Sequence, residues 1–159
     1  MKKFYDDLYQ EYGNSVKSLG WGSADSQLKR FEVIIEAGIQ KQDSVLDVGC
    51  GFADFYFFSH GKIGPYYGIE KNKAFFEKCN FRLSNENAEV FNIDFIDGDL
   101  SRFSCDWVIG SGIFCFDESN WYQSVTQKTI KLFNLCDKGL VLNFLSSLTD
   151  GKKKEEFMH

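Results

Sequence analysis

"VLDVGCGFADF", residues 45–55, decides how the chain is read. Val45 to Val48 is a short apolar run suited to a buried strand, and from Phe52 the pattern turns helical. Between them, Gly49 and Gly51 lack side chains, so the chain can bend sharply and a ligand can approach its backbone. Asp47 stands two residues before the first glycine. There its charge opposes an anion such as a pyrophosphate and suits a ligand with a positive group.

Outward from this turn, the same alternation recurs. Toward the N-terminus, Ser23 or Asp25 can cap a helix in which Leu28, Phe31, Ile34 and Ile35 fall at helical spacing before Gly38 ends it. Toward the C-terminus, strands are expected at Tyr66–Ile69, after the Gly64–Pro65 break, and at Ile93–Ile96, Trp107–Ile109 and Leu140–Leu145. Helices are expected over residues 52–59, 73–83 and 121–136. Short apolar strands alternating with helices predict an α/β fold: a three-layer sandwich whose five-stranded, mainly parallel sheet is covered on both faces. Ligands in such sheets bind beyond the carboxyl ends of the strands, where strand order reverses.

Two further carboxylates follow strands. Glu70 directly follows "YYGI" and can accept hydrogen bonds from both hydroxyls of a ribose. Asp99, in "FIDGDL", can accept from an adenine amino group while the Leu100 N–H faces a ring nitrogen. Each alone reads as a solvated loop residue. Together with Asp47, at three successive strand tips, they describe a ligand with a cationic end, a ribose and an adenine, and no phosphate.

S-adenosylmethionine is such a ligand, and the chain resembles the class I S-adenosylmethionine-dependent methyltransferases. "VLDVGCGFA" is similar to that family's first motif, "YYGIEKN" to its second, "FIDGDL" to its third, and "CDWVIGSGIFCF" to the strand and loop that line its methyl-transfer cavity. The similarity covers about residues 43–146, with Ala53 where the family often has a third glycine. "YGNSVKSLGWGS" and "LVLNFLSS" are similar to a group of small bacterial members. The resemblance implies a Rossmann-like fold and S-adenosyl-L-methionine as cofactor. Asp47, Gly49, Cys50 and Gly51 would surround its methionine part, with Glu70 and Lys71 at the ribose, Asp99 and Leu100 at the adenine, and Ser111 and Gly112 below the sulfonium. Arg30 is either a surface arginine or the partner of the cofactor's carboxylate. No residue stands out as a general base, so the catalytic residue is unassigned.

The loop after the fourth strand reads "SGIF" rather than N-P-P-Y, which in the wider family grips planar amino groups, so the expected acceptor is a small molecule. Tyr12, Trp21, Phe114 and Phe116 are expected at its cavity, with Tyr9 and Trp121 as further candidates; most of these aromatics could equally be core. The aromatic leading segment, residues 1–22, suits a short helix and loop, packed over a site or merely anchored to the core. Residues 1–40 are therefore read as a helical cap, 41–146 as a cofactor-binding core and 147–159 as a tail, within one domain. The family's last two strands are not visible after Leu145. Either the chain is a shortened form, or a second copy covers the open edge of the fifth strand as a homodimer.

Composition narrows the alternatives. A net charge of -5 argues against nucleic acid, because neutralising phosphates needs a surplus of Lys and Arg. The Lys152–Lys154 cluster is followed at once by Glu155 and Glu156 and reads as a solvated tail. The five cysteines form no C-x-x-C pair, so neither a disulfide framework nor a metal site is expected. Cys50 has no neighbouring histidine and reads as packing rather than as a nucleophile. No run approaches the roughly 18 apolar residues of a membrane span, and no apolar stretch follows the N-terminal lysines, so a cytoplasmic location is expected. Two rival functions remain: a non-catalytic S-adenosylmethionine-binding protein, and a nicotinamide-dependent oxidoreductase, against which Asp47 and the missing third glycine argue.

Overall fold

The structure is a computed structural model that describes residues 2–114 and 120–144. Helices α1 (Lys2–Tyr12) and α2 (Ala24–Glu36), with a 3-10 turn at Val16–Leu19 between them, precede β1 (Val45–Val48). Then come α3 (Asp54–Phe58), β2 (Tyr66–Ile69), α4 (Lys73–Arg82), β3 (Ala88–Phe91), β4 (Cys105–Ser111), α5 (Trp121–Phe133) and β5 (Cys136–Asn143). All four strand pairings are parallel, in the order β3-β2-β1-β4-β5. Strand order reverses between β1 and β4, so a crevice opens beyond the carboxyl end of β1.

The central strand shows why the sheet needs two covers. All four residues of β1 are buried, and successive side chains enter different cores. Val45 packs with Phe31 and Ile34 of α2, Phe55 and Tyr56 of α3, and Cys79 of α4. Leu46 and Val48 pack on the opposite face with Phe95, Leu100, Phe114 and Leu132 of α5. Ser23 caps α2 by accepting from the Ser26 N–H at 3.1 Å, as its sequence position suggests. Within that helix Phe31 and Ile34 are buried, whereas Leu28 faces water.

The expected strands at β1 and β2 are matched to the residue. The third is not: the strand is Ala88–Phe91, and Ile93–Ile96 is loop. Phe95 and its neighbours are apolar because they pack onto the α5-side core, not because they extend the sheet. The last helix also ends earlier than expected, at Phe133, and Cys136 opens β5 instead of closing α5. Phe116, Leu145 and the 147–159 tail lie outside the described residues. Among the described residues no helix is long and apolar enough to cross a membrane.

The base of the sheet is fastened by buried Asp43. It accepts from the Trp107 indole N–H at 2.9 Å and pairs with Lys138 at 2.5 Å, and Lys138 also reaches Asp106 at 3.0 Å. The Lys138 hydrogen bond, foremost, holds the Asp43 carboxyl below its ordinary range. The network lies at the amino ends of the strands, leaving the carboxyl ends for a ligand.

Candidate functional site

The carboxyl ends of β1, β2 and β4 face a cavity of about 790 Å³. Beyond β1, the Gly49 and Cys50 N–H groups both donate to the Ile69 carbonyl of β2, at 2.8 and 3.1 Å, folding the loop over the neighbouring strand. Gly49 and Gly51 have φ of +70° and +57°, in the left-handed region that favours glycine. Crowding adds to the requirement: a Cβ on Gly49 would meet the Ile113 side chain at 2.8 Å, and one on Gly51 would meet Leu19 at 2.9 Å. Ala53, in the family's third-glycine position, also adopts a left-handed φ of 60°. Its burial in the α2-side core is consistent with a small residue there.

Asp47 lines the cavity and is only 4% exposed. Its Oδ2 accepts from the Tyr66 hydroxyl at 2.8 Å. Burial pushes its carboxyl up to about 7, aided by the nearby charges of Glu70 and Asp54 and opposed by the Tyr66 bond. Glu70 is also buried. Its Oε2 accepts from the Gly51 N–H at 3.0 Å and its Oε1 from the Asn72 N–H at 2.7 Å. Burial raises the Glu70 carboxyl, while these two N–H groups pull it back. Glu70 thus ties the glycine loop to the start of α4, and each oxygen keeps a lone pair for a further donor.

The third strand-tip carboxylate at the cavity is Asp94, not Asp99; Asp54 of α3 also lines it. Asp94 pairs with Lys71 at 3.5 Å and accepts from the Ile96 N–H at 2.9 Å. Asp99 is exposed and turned back on its own loop, accepting from the Ser101 N–H at 2.9 Å; that bond holds its carboxyl below the ordinary value. Leu100 is buried in the α5-side core. Neither lines the cavity. The displacement follows from β3, which ends at Phe91, so the segment leaving its tip is "NIDF", residues 92–95. The half-polar "AEVF" before it, bounded by the Asn85–Asn87 turn residues, was the signal that could have found it.

The other expected positions divide. Arg30, Cys50, Lys71, Ser111, Gly112, Trp21 and Phe114 line the cavity; Tyr12 does not. Tyr12 sits at the exposed end of α1, with the Lys17 ammonium 5.4 Å from its ring centre. Tyr5, two turns nearer the start of α1 on the same face, lines the cavity instead, and Tyr9 packs on Phe52 and Phe75. Trp121 lies outside the lining, while Asn143 and Lys128, which the sequence did not single out, belong to it. Ser111 donates to Asn143 Oδ1 at 2.9 Å across the tips of β4 and β5. Asn143 Nδ2 is buried without a hydrogen-bond partner, a state that costs about 1–3 kcal/mol when no ligand uses it.

The leading segment closes over the site. Asn72, which caps α4 through its Oδ1, donates from Nδ2 to Asp6 of α1 at 3.0 Å. Phe75 stands among Tyr5, Tyr9 and Phe52 in edge-to-face contacts with ring centres 5.1–5.9 Å apart. Trp21 covers Gly112, and the Arg30 guanidinium sits 4.9 Å from the Trp21 ring centre. Cys50 Sγ lies 3.9 Å from Cys79 Sγ. The hydrogen bond to that thiol and burial both raise the Cys50 thiol well above its ordinary value, which keeps it protonated and poorly nucleophilic.

No family model and no curated protein match the chain. Solved structures do. The YcgJ protein of Bacillus subtilis matches 72% of this chain and 50% of its own at 13% identity, with a TM-score of 0.59. Coclaurine N-methyltransferase, solved with N-methylheliamine and S-adenosylhomocysteine, matches 72% and 34% at 19% identity, with a TM-score of 0.57. Phosphoethanolamine N-methyltransferase 1 of Haemonchus contortus, solved with phosphoethanolamine and S-adenosylhomocysteine, matches 99% and 34% at 15% identity, with a TM-score of 0.70. The chain spans half or less of the length of these three proteins. With five parallel strands in the order β3-β2-β1-β4-β5, and with helices on both faces, the chain has the Rossmann-like α/β fold of the class I S-adenosylmethionine-dependent methyltransferases.

Proposed function

We propose that the chain binds S-adenosyl-L-methionine in this cavity and transfers its methyl group to a small molecule. The observation that carries the reading is the convergence of Asp47, Glu70 and Asp94, from three successive strand tips, on one cavity beside a glycine loop. Their chemistry fits the cofactor. Asp47 is a buried carboxyl for its cationic methionine end, Glu70 keeps lone pairs for two ribose hydroxyls, and Asp94 with the Phe95 backbone N–H is placed for an adenine edge. Arg30 supplies a cation for the cofactor's carboxylate. The methyltransferase structures solved with S-adenosylhomocysteine support the same reading.

When bound, the cofactor supplies a methyl group already activated on a sulfonium. The chain's task is then alignment and exclusion of water. Ser111 at the end of β4, with Gly112 and Phe114 on the loop leaving it, form the wall against which an acceptor is aligned, and Trp21 and Tyr5 line the cavity from the leading segment. Holding two reactants at attack distance supplies on the order of 7–11 kcal/mol. Two measurements test the proposal: calorimetry with S-adenosylhomocysteine, and transfer of labelled methyl from the cofactor to a fractionated metabolite pool. Binding with label in a small-molecule fraction is the expected result. No binding by the wild type overturns the proposal, and binding without transfer reduces it to cofactor binding. Glu70→Gln should weaken binding by about tenfold, through the lost ribose contacts.

A further inference from the structure

Helix α2 buries Gln27, Phe31 and Ile34, at the i, i+4, i+7 spacing of a core-facing stripe. Gln27 is its polar member, only 4% exposed, and it lines the cavity. Its Nε2 donates to Asp54 Oδ2 at 3.2 Å, while Asp54 Oδ1 accepts from Arg82 at 2.6 Å. A carboxylate paired with an arginine only accepts, so the amide nitrogen faces Asp54 and Oε1 faces away from it. Among the described residues Oε1 has no hydrogen-bond partner. Nor is it sealed in: the enclosed polar side-chain atoms without a partner are Trp121 Nε1 and Asn143 Nδ2 among the described residues, so Oε1 is open, and the space it opens to is the cavity. Arg82 is held in turn. It also donates to the Phe52 carbonyl of the glycine loop, and its guanidinium stands 4.4 Å from the Phe57 ring centre. Helices α4, α3 and α2 thus each give one member of a chain that runs from Arg82 through Asp54 to Gln27. Hydrogen bonds in such a chain polarise one another, which strengthens the acceptor at its end.

We propose that Gln27 determines specificity for the amino-acid end of the ligand: its Oε1 accepts from the ligand's protonated amine, and Asp54 and Arg82 are positioning residues that keep this oxygen turned to the cavity. This rests on the reading of the cavity as an S-adenosylmethionine site. Asp54 opens α3 just past the glycine loop, and its charge is felt at the Asp47 carboxyl, so Gln27 stands at the end of the cavity where the cationic part of the ligand is placed. Both oxygens of Asp54 are engaged by protein donors, which leaves Gln27 to present the acceptor. An ammonium carries three donors and needs more than the one carboxylate of Asp47 to satisfy them once water is excluded.

The test is calorimetry on the full chain at pH 7 with two ligands: S-adenosylhomocysteine, and its deaminated analogue with hydrogen in place of the amino group. Gln27→Met keeps the length of the side chain and removes the acceptor. It should weaken S-adenosylhomocysteine by about fivefold or more and change the deaminated analogue by less than about twofold, a contrast that a merely structural role would not produce. Asp54→Asn makes a sharper perturbation at nearly constant volume. The Asn oxygen stays with Arg82, its Nδ2 takes the place facing Gln27 and can only donate, so the Gln27 amide reverses and turns its own N–H groups to the cavity. The same contrast between the two ligands should result. If Gln27→Met fails to fold, Asp54→Asn decides alone. Equal weakening of both ligands, unchanged S-adenosylhomocysteine affinity in a folded variant, or a deaminated analogue that binds the wild type as tightly as S-adenosylhomocysteine each overturns the proposal while sparing the cofactor reading. Absence of S-adenosylhomocysteine binding by the wild type overturns both.

Discussion

Cofactor affinity should fall as pH drops through 7, and Asp47 should be the cause. The groups facing this carboxyl are Tyr66 from β2, Glu70 at the tip of β2, Asp54 from α3 and the Cys50 thiol of its own loop. None is a cation, and burial leaves the carboxyl with a pKa of about 7. A cationic ligand needs it ionised. At pH 7 half of the molecules meet that condition, and at pH 5.5 about 3% do, so affinity for S-adenosylmethionine should weaken by about fifteenfold, roughly 1.6 kcal/mol. The ligand's own amino group, near 7.7–8.0 when free, stays protonated across this window and adds no slope. Calorimetry in two buffers of different ionisation enthalpy should register proton release on binding near pH 7. Asp47→Asn preserves an oxygen for Tyr66 and should abolish both the slope and the released proton. Stability runs the other way. An acid whose folded pKa is raised contributes its stability in full below the unfolded value near 3.9 and loses it as pH rises to about 7, so Asp47→Asn should gain on the wild type between pH 5 and pH 8. A flat wild-type affinity from pH 7 to 5.5, or an unaltered slope in Asp47→Asn, would refute the reasoning.

Gly51→Ala places a Cβ 2.9 Å from Leu19 at a φ of +57°, and should cost about 1–3 kcal/mol in denaturant unfolding while weakening cofactor binding through the displaced Glu70 contact. Phe75→Ala removes a ring that is 3% exposed at the seat of α1, and should cost about 3–5 kcal/mol, with hydrogen exchange in α1 rising more than in β1. Asp43→Asn should lower the melting temperature at pH 7. Because the Asp43 pKa is depressed, its contribution is present above the unfolded value and lost as pH falls through the folded one, so the difference between the two proteins should shrink toward pH 3.

How far the sequence could be read depended on burial. β1 and β2 lie between two covered faces, so apart from buried Asp47 their side chains are apolar or aromatic, and both were legible to the residue. Ser23 was legible as a cap because its side chain acts within one turn of its own position. Glu70 was legible because it follows its strand directly. The edge strand β3 needs no such run. Its four residues are half-buried or exposed, so "AEVF" carries a weaker apolar signal than "IDFI", which is apolar for a different reason. With the third strand expected five residues too late, the acid expected at its tip was Asp99, whereas the acid that follows the observed strand and lines the cavity is Asp94. The resemblance to a known motif did not correct it, because "FIDGDL" offers an acid after an apolar run just as "NIDF" does.

The side of the cavity away from the glycine loop was less legible for a related reason. The side at β1 and β2 is built by short loops just past strand tips, so position along the chain stands in for position in space. The other side joins Trp21 and Tyr5 from the leading segment to Phe114, Lys128 and Asn143. No local spacing relates these residues; they meet only through tertiary packing, in which β4 lies beside β1 and β5 beside β4. Asn143 shows the consequence. Within "LVLN" it is a polar residue ending a strand, unremarkable until β4 pairs with β5 and sets Ser111 opposite it. That register sets the amide against the Ser111 hydroxyl at the cavity wall. The place of Asn143 in the lining therefore rests on strand register more than on any motif. Shifting β5 by one residue would send Asn143 to the other face of the sheet and leave the glycine loop and its carboxylates where they are.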